Sequence, residues 1–175
     1  RAVFHARQNG IRVKKTDLNY KFPFKASSID VVMADQVIEH LWNLDNFISE
    51  IHRILKPGGY AIISTENLAS WHNIIALLVG LQPFTGPNPS TKHVIQFHPL
   101  TPDKVEMAQK HSNTPTMPDH TKVLTQKALI DLGKLYGFIV EKQSGIGYFP
   151  FKLPISQLLC RVNLSHCFFI TVKLK

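Results

Sequence analysis

Residues 29–67 read IDVVMADQVIEHLWNLDNFISEIHRILKPGGYAIISTEN, and this stretch decides the fold. Its opening, residues 29–34, is a nearly continuous apolar run, which is typical of a parallel strand buried on both faces. Apolar residues then recur at helical spacing over residues 44–55, with Asn43 as the N-cap. The KPGG sequence at 56–59 ends this helix, and a second apolar strand follows. The pattern predicts a strand, a crossover helix and a parallel strand.

In a parallel sheet of this kind, ligands bind beyond the carboxyl ends of the strands. Those ends are residues 34–37, ADQV, and residues 64–67, STEN. We therefore expect the functional site at these two segments and in the loops beside them.

The same stretch resembles the middle of a class I S-adenosylmethionine-dependent methyltransferase. The LKPGG turn at 55–59 is the most specific feature, and EHL at 39–41 supports it. The resemblance covers residues 1–65 well and continues in features such as YGF at 136–138. It implies an α/β, Rossmann-like sheet that is mostly parallel with a C-terminal antiparallel hairpin, and S-adenosylmethionine as the cofactor.

Two family features are absent from the sequence: the glycine-rich first motif and the acidic residue that ends the second strand. We therefore expect one partial methyltransferase domain over residues 1–175, with the first two strands missing. The family's strand order is 3-2-1-4-5-7-6, so a gap or a non-family pairing should separate the predicted strands at 11–16 and 29–34. This chain alone should aggregate and should not bind the cofactor.

The resemblance assigns cofactor contacts to two loops. Asp17 would accept a hydrogen bond from the adenine amino group, and the backbone amide of Leu18 would meet a ring nitrogen. A carboxylate is a pure acceptor and suits this role, although Asp17 is alternatively the cap of its own turn. Residues directly after the first strand should lie beside the methionine part of the cofactor, largely through their backbone: Asp35, Gln36 and Val37.

Glu39 and His40 lie at the mouth of the predicted site and are the predicted catalytic residues. Histidine accepts a proton near neutral pH, and Glu39 is placed to orient it. A base is needed only if the methyl acceptor must lose a proton. The alternative is that His40 only ties its loop to the next helix.

A metal site is the second interpretation of this loop. The small-RNA 2′-O-methyltransferases, a related group, have a Glu-x-x-Glu-His metal site here. Gln36 stands where the first Glu would be, and a neutral amide is a poor ligand for a hard divalent ion. We therefore expect no bound metal, although nine histidines keep the alternative open.

Residues after the second strand should contact the methyl acceptor: Asn67, Trp71 and His72. They open a helix with an apolar stripe, so Trp71 is alternatively a core anchor. The proline-rich insertion at about 84–118 predicts a lid over the pocket that determines substrate choice, and disorder is its alternative. Three histidines are assigned to this lid: His93, His98 and His120.

The last third of the chain predicts a helix over 126–136, a strand over 138–147, a short helix over 154–162 and a strand over 167–174. Cys160 and Cys167 have no metal-binding spacing and are expected to be buried thiols. No apolar run reaches the ~18 residues of a membrane span, and no signal peptide is present, so we expect a cytoplasmic protein.

The net charge of +8 permits contact with nucleic acid or anionic lipid, but the preferred interpretation is a solvated basic surface. We predict that the protein transfers a methyl group from S-adenosylmethionine to a small-molecule or lipid acceptor. The alternatives are an inactive methyltransferase-like binding domain and an RNA methyltransferase. The acceptor atom is not encoded in any motif found here.

Overall fold

The computed structural model describes residues 2–87 and 120–175. Its strands are β1 (Ile29–Asp35), β2 (Leu55–Glu66), β3 (Val140–Ile146) and β4 (Phe169–Leu174). Its α-helices are α1 (Ala2–Gln8), α2 (Leu44–Ile54), α3 (Trp71–Leu78), α4 (Gln126–Leu135) and α5 (Ile155–Val162). Two short 3-10 helices cover Ile38–His40 and Leu164–His166.

The four strands form one sheet in the order β1-β2-β4-β3. β1 and β2 are parallel, with Asp35 opposite Ser64, and β4 runs antiparallel to both β2 and β3. This arrangement confirms the predicted α/β class with its C-terminal antiparallel hairpin. The order equals the 4-5-7-6 half of the family sheet.

The turn that opens β2 explains its two glycines. Gly58 has a φ of +82°, which an L side chain rarely adopts. A Cβ on Gly59 would lie 2.8 Å from the carbonyl oxygen of Asp30, so only glycine lets the two strands approach here. β2 begins earlier than predicted because Leu55 already pairs with Ile29, before a bulge in the ladder.

Helix α2 forms where its cap and apolar stripe predict it. The side chain of Asn43 accepts a hydrogen bond of 3.1 Å from the backbone N–H of Asn46. The buried apolar face of α2 packs on the sheet together with α4, which contributes the fully buried Leu129. This core fixes the carboxyl ends of β1 and β2 relative to each other.

The predicted strand over residues 11–16 is wrong, since this segment has no ladder partner. Alternating polarity alone does not make a strand without a neighbouring edge to pair with. Within the described residues β1 pairs only with β2, and Val31 and Met33 are 44% and 72% exposed. One edge of β1 therefore has no partner strand among the described residues.

The two cysteines are buried free thiols, as predicted, and burial raises the pKa of the Cys167 thiol. Among the helices of residues 2–87 and 120–175, none is long and apolar enough to cross a membrane. The predicted lid lies mostly outside the described residues, together with His93 and His98.

Candidate functional site

The two parallel strands end side by side and define the floor of the site. The hydroxyl of Ser64 donates a hydrogen bond to the carboxylate of Asp35. The backbone N–H of Gln36 donates to the carbonyl of Ser64 at 3.0 Å, and Gln36 has a φ of +52°. This left-handed residue turns the chain away from the sheet and into the 3-10 helix at Ile38–His40.

Four polar side chains meet above this floor, and we call them the Glu39 cluster: Glu39, His40, Glu66 and His120. One ligand atom each of Glu39, His40 and His120 lies within 4.8 Å of the others. Nδ1 of His120 lies 3.3 Å from Oε2 of Glu66, and the two histidine rings are 5.1 Å apart between centroids. The cluster joins the ends of both strands to a segment that follows the proline-rich insertion.

Hydrogen bonds from Thr121 and Lys122 hold that later segment against the loop that contains Glu39 and His40. Thr121 and Lys122 donate their N–H groups to the carbonyl of Glu39, at 2.7 and 3.2 Å. The Thr121 hydroxyl donates to the carbonyl of Leu41 at 2.8 Å, and the Lys122 ammonium donates to that of Trp42 at 2.7 Å. These four hydrogen-bond donors thus place His120, which precedes Thr121, beside Glu39.

The carboxylate of Glu39 is enclosed, with 1% of the residue exposed. Its Oε2 accepts a hydrogen bond of 2.9 Å from the Thr65 hydroxyl. Its Oε1 and the Nδ1 of His40 are buried and have no hydrogen-bond partner among the described residues. Such atoms are costly to bury unless something else binds them.

The carboxyl of Glu66 is a weaker acid than usual. Burial raises its pKa to about 7, the negative charge of Glu39 adds to this effect, and His120 opposes it. Two buried carboxylates and two partly buried imidazoles therefore share a small volume at the ends of the parallel strands.

The structure gives Asp17 a local partner. Its Oδ1 accepts hydrogen bonds of 2.9 Å from both the backbone N–H and the side-chain amide of Asn19. Asn19 in turn accepts from the N–H groups of Trp42 and Asn43, at 2.9 and 3.0 Å. Asp17 thus caps its own turn, as the alternative interpretation had it, and steadies the loop that leads into α2.

The remaining predicted cofactor residues lie near the free side of β1. Leu18 and Val37 line an apolar groove of about 350 Å³ along β1, together with Met33. Asp35 is exposed at the end of the strand, and Gln36 is partly buried beside it. The two predicted cofactor loops therefore converge at one end of β1.

Asn67 is a structural residue in this fold. It is fully buried, and its amide donates to the carbonyls of Ser165 and Cys167, both at 2.8 Å. Its Oδ1 accepts from the N–H of Ala69 at 3.1 Å. These bonds connect the end of β2 to the segment before β4. They use the side-chain amide and carbonyl groups of Asn67 within the protein.

His72 lines a second cavity, and Trp71 is hydrogen-bonded to Tyr148 in the lining of that cavity. The indole N–H of Trp71 donates to the hydroxyl of Tyr148 at 2.9 Å, and the ring of His72 stacks on Phe168 with centroids 4.3 Å apart. The cavity has a volume of about 370 Å³, and we call it the aromatic cleft. Its lining includes His72, Tyr148, Phe149, Phe151, Phe168 and Phe169.

Sequence reasoning missed two parts of this site. Glu66 is the last residue of β2, as Asp35 is of β1. Since ligands bind at the carboxyl ends of parallel strands, the same rule that selected Asp35 could have selected Glu66. The cleft residues Tyr148 and Phe168 lie after β3 and before β4, and no local pattern links them to Trp71. His120 was assigned to the lid, but its contact with Glu39 required the fold.

Comparison with known proteins finds similarity to methyltransferases in both sequence and fold. The model of a methyltransferase domain family matches residues 1–63. A probable S-adenosylmethionine-dependent methyltransferase of Mycolicibacterium smegmatis is 31% identical over 126 residues, which are 72% of this chain and 35% of that protein. The ubiquinone biosynthesis O-methyltransferase of Rickettsia conorii is 32% identical over 78 residues, or 45% of this chain and 27% of that protein.

The matches thus span only about a third or less of these relatives' lengths. Among solved structures, an S-adenosylmethionine-dependent methyltransferase of Thermotoga maritima superposes with a TM-score of 0.59 at 18% identity, over 99% of this chain and 67% of that one. This likeness establishes the fold, which has the same Rossmann-like architecture as the sheet described above. The sequence matches add that the chain is similar to S-adenosylmethionine-dependent methyltransferases, over residues 1–63 for the domain family and over 126 residues for the mycobacterial protein.

Proposed function

We propose that this protein transfers the methyl group of S-adenosylmethionine to a small-molecule or lipid acceptor. The observation that carries the proposal is the pairing of Glu66 with Phe169 across β2 and β4. Glu66 belongs to the Glu39 cluster and Phe169 lines the aromatic cleft, so a polar site and an apolar cavity adjoin on neighbouring strands.

The cleft favours an acceptor with an apolar body. Its lining is dominated by aromatic side chains, and its volume of about 370 Å³ falls within the range of small-molecule sites. An aromatic ring or an isoprenoid tail packs well on such surfaces. The relatives named as ubiquinone biosynthesis O-methyltransferases support an oxygen acceptor attached to an apolar body.

The chain's own residues would supply alignment and proton removal. Bound S-adenosylmethionine supplies a methyl group already activated on a sulfonium sulfur, so positioning is the main requirement. As the acceptor oxygen forms its bond to the methyl carbon and the carbon–sulfur bond breaks, His40 accepts the proton that the hydroxyl loses. Glu39, with a carboxylate oxygen within 4.8 Å of a ring nitrogen of His40, would stabilise the charged form of that histidine.

The residues at the end of β1 fit part of the cofactor. Leu18 and Val37 offer apolar surface in the groove along β1, and this suits an adenine ring. Asp35 is exposed next to them and suits a polar group of the methionine or ribose part. Asp17 is held by Asn19, so its predicted bond to the adenine would have to coexist with the turn that it caps.

The two alternatives make different predictions. An inactive binding domain would bind S-adenosylmethionine or an apolar ligand and transfer nothing. An RNA methyltransferase would use the net charge of +8, and its RNA binding would weaken steeply with salt. The apolar lining of the cleft favours the small-molecule interpretation over RNA.

The test is a methyl-transfer assay with methyl-labelled S-adenosylmethionine on the complete gene product. Acceptors would be catechols and quinols with and without an isoprenoid tail, with a structured RNA as the comparison. We expect label on a tailed or aromatic hydroxyl compound and none on RNA. Phe168→Ala should raise KM for that acceptor more than it changes cofactor affinity. Cofactor binding without transfer to any hydroxyl compound would reject the proposal.

A further inference from the structure

We propose that the Glu39 cluster is the binding site of one divalent transition-metal ion, such as Zn²⁺. One carboxylate and two imidazoles, from Glu39, His40 and His120, lie with one ligand atom each within 4.8 Å of the others. Mixed nitrogen and oxygen donors of this kind suit Zn²⁺, Fe²⁺ and Co²⁺. The inference goes beyond the proposed function, because an ion can bind whether or not methyl transfer takes place.

The present separations are close to those of a metal site. Zinc binds histidine nitrogen and carboxylate oxygen at about 2.0–2.2 Å, so tetrahedral ligands are about 3.4 Å apart. Ligand atoms within 4.8 Å of one another thus need to approach by at most about 1.4 Å. His40 and His120 are only partly buried, and small rotations of their side chains supply this movement.

Two atoms in the cluster point to a missing partner. Oε1 of Glu39, in a residue 1% exposed, has no hydrogen-bond partner among the described residues. The same is true of Nδ1 of His40. A cation would offset the cost of burying the carboxylate and would use both atoms.

The surroundings also resemble the outer shell of a metal site. Thr65 donates to Oε2 of Glu39 at 2.9 Å, which leaves Oε1 as the ligand oxygen. Nδ1 of His120 lies 2.8 Å from the carbonyl of Thr85, which only accepts, so Nδ1 carries the proton and Nε2 keeps its lone pair. Glu66 adds a carboxylate 3.3 Å from the same Nδ1. Metal-bound histidines are usually held in this way.

The absence of a first glutamate in the loop does not weaken this site. Gln36 occupies that place, and its backbone is engaged with Ser64. The expectation of no bound metal rested on Gln36 in that loop, and the histidines of the chain were its open alternative. His120 and Glu66 arrive from other segments, and the bonds from Thr121 to the loop hold His120 in place without an ion.

One consequence rests on the proposed function. An ion in the cluster would take the acceptor oxygen as a further ligand and lower the pKa of its hydroxyl. His40 would then be a ligand, and the proton would leave to solvent. Loss of metal binding and loss of methyl transfer would be separate results, since the first is measured without cofactor or acceptor.

The test is calorimetric titration of the complete, chelator-dialysed protein with Zn²⁺. We expect one ion per chain and a higher melting temperature with Zn²⁺ bound. His120→Gln and Glu39→Gln should each weaken binding by about 10- to 100-fold or more. The matched control is His52→Gln, because His52 is exposed and packs its ring on Phe138, away from the cluster.

Circular dichroism of each variant separates lost ligands from lost folding. Co²⁺ titration adds a second readout, since its visible absorption reports nitrogen and oxygen coordination. The proposal is overturned if the wild-type protein binds no stoichiometric Zn²⁺, which is decisive even if a variant fails to fold. It is equally overturned if folded His120→Gln binds Zn²⁺ as tightly as His52→Gln does. Binding of Zn²⁺ without methyl transfer would leave this site standing and reject only the proposed function.

Discussion

The hydroxyl of Thr65 donates a 2.9 Å hydrogen bond to Oε2 of Glu39, and neither residue is more than 1% exposed. It is the one bond between the described residues and that carboxylate, because Oε1 has no partner there. The end of β2 therefore sets the position of the loop after β1.

Thr65→Val should destabilise the fold because it leaves a buried carboxylate without a hydrogen-bond donor. We expect a loss of about 1–3 kcal/mol in the free energy of unfolding, measured by urea denaturation in the presence of chelator. Thr65→Ser keeps the hydroxyl and should recover most of that loss. Equal stability of the valine variant and the wild type would show that Glu39 does not need this bond.

Glu50 and Arg53 form a pH-dependent clamp beside α2. The Glu50 carboxylate accepts from Arg53 at 2.6 Å on both oxygens and from the N–H of Phe22 at 2.7 Å. The bond from Arg53 lowers the pKa of Glu50, partial burial raises it, and the Phe22 N–H lowers it further. The stabilisation is therefore present above the unfolded-state pKa of about 4.3 and is lost as pH falls through the lower folded-state value.

Glu50→Gln should thus lower the free energy of unfolding by about 1–3 kcal/mol at pH 7. The difference from the wild type should shrink as pH falls below about 4, which urea titrations at several pH values measure. Asp131→Asn is the control, since its bond to Lys127 is exposed and contributes at most about 0.5 kcal/mol. A Glu50→Gln deficit that is the same at pH 3 and pH 7 would contradict this account.

The sequence predicts correctly those helix caps and turns that depend only on residues close by in the chain. Asn43 caps α2 as expected, and the Gly58–Gly59 turn opens β2, because both depend on neighbours within a few residues. The segment at 11–16 was mispredicted, since strand formation depends on a partner edge that the pattern does not contain. The contact of His120 with Glu66 joins remote parts of the chain, and composition or spacing carries no sign of it.

A variant of Asn67 can distinguish its structural role from the substrate-binding role that its position after β2 predicts. Asn67→Ala would leave the carbonyls of Ser165 and Cys167 without their donor. We expect a loss of about 2–4 kcal/mol in the free energy of unfolding, with KM for the acceptor changed less than twofold in the folded fraction. A stable variant with a raised KM would restore the substrate role.

His40→Ala should lower turnover more than cofactor affinity, because His40 belongs to the Glu39 cluster and does not line the groove along β1. We expect a loss of about a hundredfold in kcat if His40 accepts the proton or holds an ion there. The control is His52→Ala, which should retain full turnover. Equal losses in kcat and in cofactor binding, measured by calorimetry, would instead indicate that the loop has collapsed.

The open side of β1 should govern the solubility of this 175-residue chain. Met33 is 72% exposed and Val31 44%, and β1 has a partner on one side only within the described residues. An apolar strand with a free edge pairs readily with other chains, and a charge on it opposes that pairing. Met33→Lys should therefore slow aggregation, followed by light scattering against concentration, and leave the melting temperature nearly unchanged. Met33→Leu keeps the apolar surface and should aggregate as the wild type does; equal scattering from the lysine variant would rule out this edge as the cause.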